Sequence, residues 1–164
     1  MKRHPEPRRI AVIGAASCTA HEAALAEAVG RALARQGAVL ICGGRGGVME
    51  AACRGAKAEG GFTVGILPGV DAREANPYVD LPLPTGMGEG RNVLVVRAAQ
   101  AVIAIGGRYG TLSEIALALK LGRPVVGLET WHLEPAHGPP PPIHRVASPE
   151  EAVRLAVALA QRLP

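Results

Sequence analysis

The sequence predicts a single doubly wound α/β domain, one parallel sheet covered by helices on both faces. Short runs of aliphatic and β-branched residues alternate with helix-length amphipathic stretches along the chain. These runs are almost continuously apolar, as strands buried on both faces must be. The 164 residues, 48% of them hydrophobic, provide one sizeable core and no second one.

The first strand is expected at Arg9 to Ile13, after a basic tail over residues 1–8 in which Lys2, Arg3 and Arg8 lie among two prolines. The tail reads as solvated, and the domain proper as 9–164. Thr19 followed three residues later by Glu22 is a capping box that opens a helix over His21 to Arg35. Strands follow at Ala38 to Cys42 and Thr63 to Leu67. A helix beginning near Glu89 carries Val93, Leu94, Val95 and Val96 in succession and then Ala98 and Ala99. It is apolar around most of its circumference and needs cover on more than one side, so a homodimer or homotetramer is expected.

Further strands are expected at Ala101 to Ile105 and Val125 to Leu128, with a short one near His144 to Val146. The intervening helix, 110 to 121, places Leu112, Ile115, Ala116 and Leu119 on one face and stops at Gly122, ahead of Pro124. The region Pro135 to Pro142, with four consecutive prolines, reads as a stiff surface loop. Ser148, Pro149 and Glu151 open a last helix that runs to Arg162.

Composition excludes several function classes. Only 2% of residues are aromatic, too few for the stacking platforms of single-strand nucleic-acid binders. The net charge of +4 is mild and sits largely near the N-terminus, so no nucleic-acid partner is expected. No apolar run reaches transmembrane length, which argues against a membrane partner. The run Ile10 to Ala16 is too short for a secretion signal and contains Gly14. Cys18, Cys42 and Cys53 form no C-x-x-C pair, consistent with reduced thiols in a cytoplasmic protein. His132, His137 and His144, with Glu134, lack tight ligand spacing, so no metal site is expected.

Two glycine-rich strand-to-helix turns carry the functional signal. One is Cys42-Gly43-Gly44-Arg45-Gly46-Gly47; the other runs from Gly106 and Gly107 through Gly110 and Thr111 to Glu114. Glycines let the backbone approach a ligand closely, and the free N–H groups of a helix start attract phosphate. Both turns therefore read as phosphate-binding. The first turn of the chain, Gly14 to Ser17, lacks G-x-G-x-x-G, and no acidic residue ends the second strand, which argues against classical NAD binding. No P-loop motif occurs. Thr111-x-x-Glu114 by itself is also a capping-box pattern, and the pattern alone favours that bland role; the glycine loop around it favours membership of a site. Asn76, Pro77 and Tyr78 read as a plain turn.

The ordered motifs Cys-Gly-Gly-Arg-Gly-Gly-Val-Met-Glu at 42–50, Val-Gly-Ile-Leu-Pro at 64–68, Gly90-Arg91-Asn92 and Gly106 to Glu114 resemble the lonely-guy (LOG-like) Rossmann superfamily. The resemblance runs from the first strand to about Leu128. It implies a Rossmann-like fold, oligomeric assembly and, in the enzymes of the superfamily, phosphoribohydrolase activity on nucleoside 5′-monophosphates such as cytokinin nucleotides. Their signature, Pro-Gly-Gly-x-Gly-Thr-x-x-Glu with an upstream Arg-Lys pair, matches here at Arg91 and Glu114, the positions the resemblance marks as catalytic. The chain departs from it at Asn92, which replaces the lysine, at Gly106, which replaces the proline, and at Arg108, which replaces a loop glycine.

These departures are more similar to a sister branch that includes molybdenum-cofactor carrier proteins, which hold a phosphorylated pterin without a known reaction. The reading they favour is a binding protein for a phosphorylated nucleotide or pterin, with the molybdenum cofactor as a candidate ligand. The alternative is the phosphoribohydrolase. Relatives have also carried the label lysine decarboxylase, which a chain with only Lys2, Lys57 and Lys120 does not support.

Overall fold

Strand β1 (Arg9–Ile13) forms the centre of the sheet because its apolar run is flanked by matching runs on both sides. In the computed structural model, which describes residues 6–161, it pairs in parallel with β2 (Val39–Cys42) and with β5 (Ala101–Ile105), so Ile10 lies between Leu40 and Ala101. Residues 1–5 of the expected tail, and Arg162 at the expected end of the last helix, lie outside the described residues. The remaining strands are β3 (Thr63–Leu67), β4 (Leu81–Pro84), β6 (Val125–Leu128) and β7 (Ile143–Arg145). All pair in parallel, in the order β4-β3-β2-β1-β5-β6-β7. The doubly wound, Rossmann-like sheet is as expected.

Helices α1 (Ala20–Arg35), α2 (Val48–Ala58) and α5 (Pro149–Ala160) cover one face, where Val29, Leu33, Val48, Ala52, Val153 and Ala156 pack on Ile10, Leu40 and Ile103. Helices α3 (Asn92–Ala98) and α4 (Tyr109–Lys120) cover the other, where Val95, Val96, Ile115 and Ala118 meet Ala11, Ile41 and Val102. The Thr19–Glu22 capping box closes in both directions, with Glu22 N–H donating to Thr19 Oγ1 (3.1 Å) and Thr19 N–H to Glu22 Oε2 (2.9 Å).

On the first face, α1 and α2 approach backbone to backbone. Gly30 and Gly55 make this possible: a Cβ on Gly30 would stand 1.9 Å from the Ala52 carbonyl oxygen, and one on Gly55 would stand 2.0 Å from that of Glu27.

The structure corrects the expected elements in two places. β4 was not expected, because Leu-Pro-Leu-Pro carries no strand signal; it is tolerated as an edge strand paired only with β3, where proline is admitted. The helix expected near Glu89 opens instead as a 3-10 turn, Gly88–Arg91, and becomes α-helical only at Asn92.

Candidate functional site

The strand order reverses between β1 and β5, and a parallel sheet opens a crevice beyond the carboxyl ends of its strands at such a point. A cavity of about 450 Å³ lies there, within the range of small-ligand sites. One wall is the turn after β1, Gly14 to Ser17. Pro68 after β3, the 3-10 turn with Gly88 and Glu89, and Met49 of α2 form others. The wall opposite carries Arg91, Asn92, Arg108, Gly110, Thr111 and Glu114.

Glu114 does not cap α4. The N-cap is Arg108, which makes no side-chain cap bond, so Thr111 is the third helical residue and Glu114 lies well inside the helix. The helix starts early because Gly106 (φ 52°) and Gly107 (φ 107°) turn the chain sharply off β5. Glu114 is only 7% exposed, and among the described residues no hydrogen bond or ion pair is made to its carboxylate. Burial pushes its pKa up to about 7, with the Arg91 charge opposing.

Arg91 is held by two hydrogen bonds. It donates through Nη1 to Asn92 Oδ1 and through Nη2 to the Gly43 carbonyl at 3.4 Å, while its Nε is buried without a partner. A Cβ on Gly43 would stand 2.7 Å from Arg91 Nη2, so the glycine makes room for the guanidinium. Asn92 in turn donates to Ser113 Oγ (3.0 Å), and Ser113 donates to the Gly110 carbonyl (2.7 Å). The substitution of asparagine for lysine in the resembled motif thus has a physical reading: Asn92 accepts a hydrogen bond from the arginine, which an ammonium group cannot do.

Of the residues singled out from sequence, the cavity brings together Arg91, Glu114, Gly110 and Thr111. Gly43, Gly44, Gly46 and Gly47 lie one layer behind. Gly47 (φ 62°) packs under the β1 turn, where a Cβ would come within 2.2 Å of the Ala15 carbonyl, and Val48 N–H already donates to that oxygen at 3.0 Å. Gly106 packs against Glu22, and Gly107 borders a smaller adjoining cavity. Arg45 is turned away in an ion pair with Glu74 at 2.8 Å. Asn76 forms a turn, accepting from Tyr78 N–H and donating to the Arg45 carbonyl. The described residues contain no group of three or more His, Cys, Asp or Glu placed to hold a metal ion.

Sequence reasoning missed the Gly14–Ser17 turn as a wall of the site, because it was tested only against the dinucleotide motif. The available signal was topological: the turn that follows the central strand is a cavity wall whatever its motif.

A protein-family model described as the SLOG cluster4 family matches residues 7–153. The chain belongs to the SLOG cluster4 family. An uncharacterized protein from Archaeoglobus fulgidus is 42% identical over 153 residues, covering 92% of this chain and 95% of the relative. The molybdenum cofactor binding protein of the phototrophic bacterium Rippkaea orientalis superposes with a TM-score of 0.86 at 34% identity, covering 95% of this chain and 99% of that one. The molybdenum cofactor carrier protein of Chlamydomonas reinhardtii does so with a TM-score of 0.83 at 32% identity, covering 96% and 100%. The LOG-like resemblance read from the motifs therefore holds, and this SLOG cluster4 chain lies near the carriers.

Proposed function

We propose that the protein binds a phosphorylated small ligand, a pterin of the molybdenum-cofactor type or a nucleotide, in a cytoplasmic setting. The observation that carries the reading is the open N-terminus of α4. No side chain caps its first turn, Gly110 presents bare backbone to the cavity, and Arg91 and the buried Glu114 flank it. Such a helix start is a ready anion site. The similarity to the molybdenum cofactor binding protein of Rippkaea orientalis and the molybdenum cofactor carrier protein of Chlamydomonas reinhardtii supports a carrier role. Phosphorylated pterins and nucleoside monophosphates are to be screened by thermal shift. A ligand at a hundredfold excess over its Kd adds about 2.7 kcal/mol of stability. No stabilisation by any member of either class would overturn the reading.

Gly110 offers a sharper test. Nothing lies within 4 Å of a Cβ built there, and its φ is not positive, so Gly110→Val is expected to fold like the parent while its side chain occupies the phosphate position. Affinity is expected to fall at least a hundredfold by titration calorimetry.

A second reading, the phosphoribohydrolase, is favoured by one observation: a carboxyl group with a pKa of about 7 beside a fixed arginine suits acid–base work at neutral pH. Steady multiple-turnover release of free base from a nucleoside monophosphate, lost in Glu114→Gln, would establish it over the pure carrier.

The protein is also proposed to self-associate through α3 and α4. Val95 and Val96 face the sheet, but Val93, Leu94 and Leu117 remain half-buried and Ala116 and Tyr109 exposed. A second copy covers such a face most simply. Light scattering at micromolar concentration is expected to give a multiple of 16.9 kDa that dissociates on Val93→Glu; a single-chain mass for the parent would refute it. Val95 is 0% exposed, so its substitution would report on the core instead.

A further inference from the structure

We propose that Arg108 binds a second anionic group of the ligand, beyond the phosphate at the first turn of α4, so that the site selects pyrophosphate-bearing ligands over monophosphates. The inference rests on the phosphate reading above and narrows it to a ligand class.

Local structure gives no reason for an arginine at this position. Arg108 is the N-cap of α4, where short oxygen-bearing side chains are favoured, and it makes no cap bond. A cation there faces the positive end of the helix dipole, and the first turn holds no acidic residue to offset it. Among the described residues no carboxylate pairs with Arg108. The corresponding arginine of the other glycine turn, Arg45, is neutralised by Glu74. An anion brought by the ligand would relieve this repulsion and pair the charge.

The geometry shows where that anion fits. Arg108, Ala15 and Ser17 border both the main cavity and an adjoining one of about 280 Å³, which continues along the carboxyl end of β1 towards Thr19. The acid in this second space, Glu22, accepts from the Thr19 N–H in the first turn of α1, where the positive end of that helix dipole offsets part of its charge. The backbone of Arg108 is braced, because its carbonyl accepts from Trp131 Nε1 at 3.2 Å and Tyr109 packs against the Trp131 ring with centroids 6.0 Å apart. A ligand is independently indicated by Glu114, which is 7% exposed, lines the main cavity and makes no side-chain hydrogen bond among the described residues, and by Arg91 Nε, which is buried without a partner.

Inorganic phosphate and inorganic pyrophosphate are the probes, since neither depends on the identity of the base or pterin. Both are titrated at fixed ionic strength into the full-length parent, Arg108→Gln, Arg108→Lys and Arg45→Gln. The parent is expected to bind pyrophosphate at least tenfold more tightly than phosphate, a ratio typical of one added charge-assisted contact. Arg108→Gln is expected to bring that ratio near one, because pyrophosphate affinity falls further than phosphate affinity. Arg108→Lys should retain part of it. Arg45→Gln removes the same charge without bordering the cavity and is expected to leave the ratio intact. An unchanged ratio in Arg108→Gln, or an equal loss in Arg45→Gln, would overturn the role of Arg108 while leaving the phosphate site standing. Absence of binding of either anion by the parent would overturn both.

Discussion

Glu114→Gln is expected to melt well above the parent at pH 8 and close to it at pH 4.5. The carboxyl group is buried, and its pKa rises from the ordinary 4.5 to about 7 in the folded protein. Between those values the folded state keeps a proton that the unfolded chain has released. Stability therefore falls as the pH rises from 4.5, and the loss is complete once the pH has passed 7. The gap corresponds to about 3 kcal/mol at full effect. Glutamine keeps the shape and carries no charge, so it escapes the loss. For a domain of this size the difference amounts to about 6–12 °C in Tm at pH 8. Equal Tm values for parent and variant at pH 8 would show that the carboxylate is solvated or paired after all.

Gly30→Val is expected to be more damaging still. The atoms that would meet the new Cβ are the carbonyl oxygen of Ala52 at 1.9 Å and the backbone nitrogen of Ala56 at 2.9 Å. No flexible side chain can move aside, so α1 and α2 must separate and open the core between them. The expected loss exceeds about 4 kcal/mol, the range reserved for core disruption, and the variant should be recovered unfolded or insoluble. Gly60→Ala is the control: it has a positive φ of 71° but open space around it, so its cost is limited to about 1 kcal/mol of backbone strain. Urea denaturation compares the two. A Gly30→Val protein within about 1 kcal/mol of the parent would mean that the helices do not pack at backbone distance.

The central strands were legible because burial on both faces leaves a run such as Ala-Val-Ile-Ala-Ile at 101–105 with no polar interruption. β4 was not, since an edge strand bearing Pro82 and Pro84 owes its existence to its neighbour β3 and to nothing in its own pattern. The site was half legible. Glycine placement and Glu114 could be read as chemistry, yet the pattern Thr111-x-x-Glu114 alone favoured a cap until the two positive-φ glycines fixed the helix start at Tyr109. Asn92 stood out only as a departure from a motif. Its partner Ser113 lies 21 positions away, and only the packing of α3 against α4 brings the pair together.

That packing also makes the wall between inside and outside thin. Asn92 and Gly110 border the main cavity on one side and, on the other, an outer groove shared with Val93, Tyr109, Ser113 and Leu117. The chain of hydrogen bonds from Arg91 through Asn92 and Ser113 to Gly110 runs inside this wall. A second copy seated on the groove would bias the same side chains that a ligand biases from within. Thermodynamic reciprocity then requires that whatever assembly does to ligand affinity, ligand does to assembly by the same factor. Where that factor differs from one, occupancy depends on protein concentration.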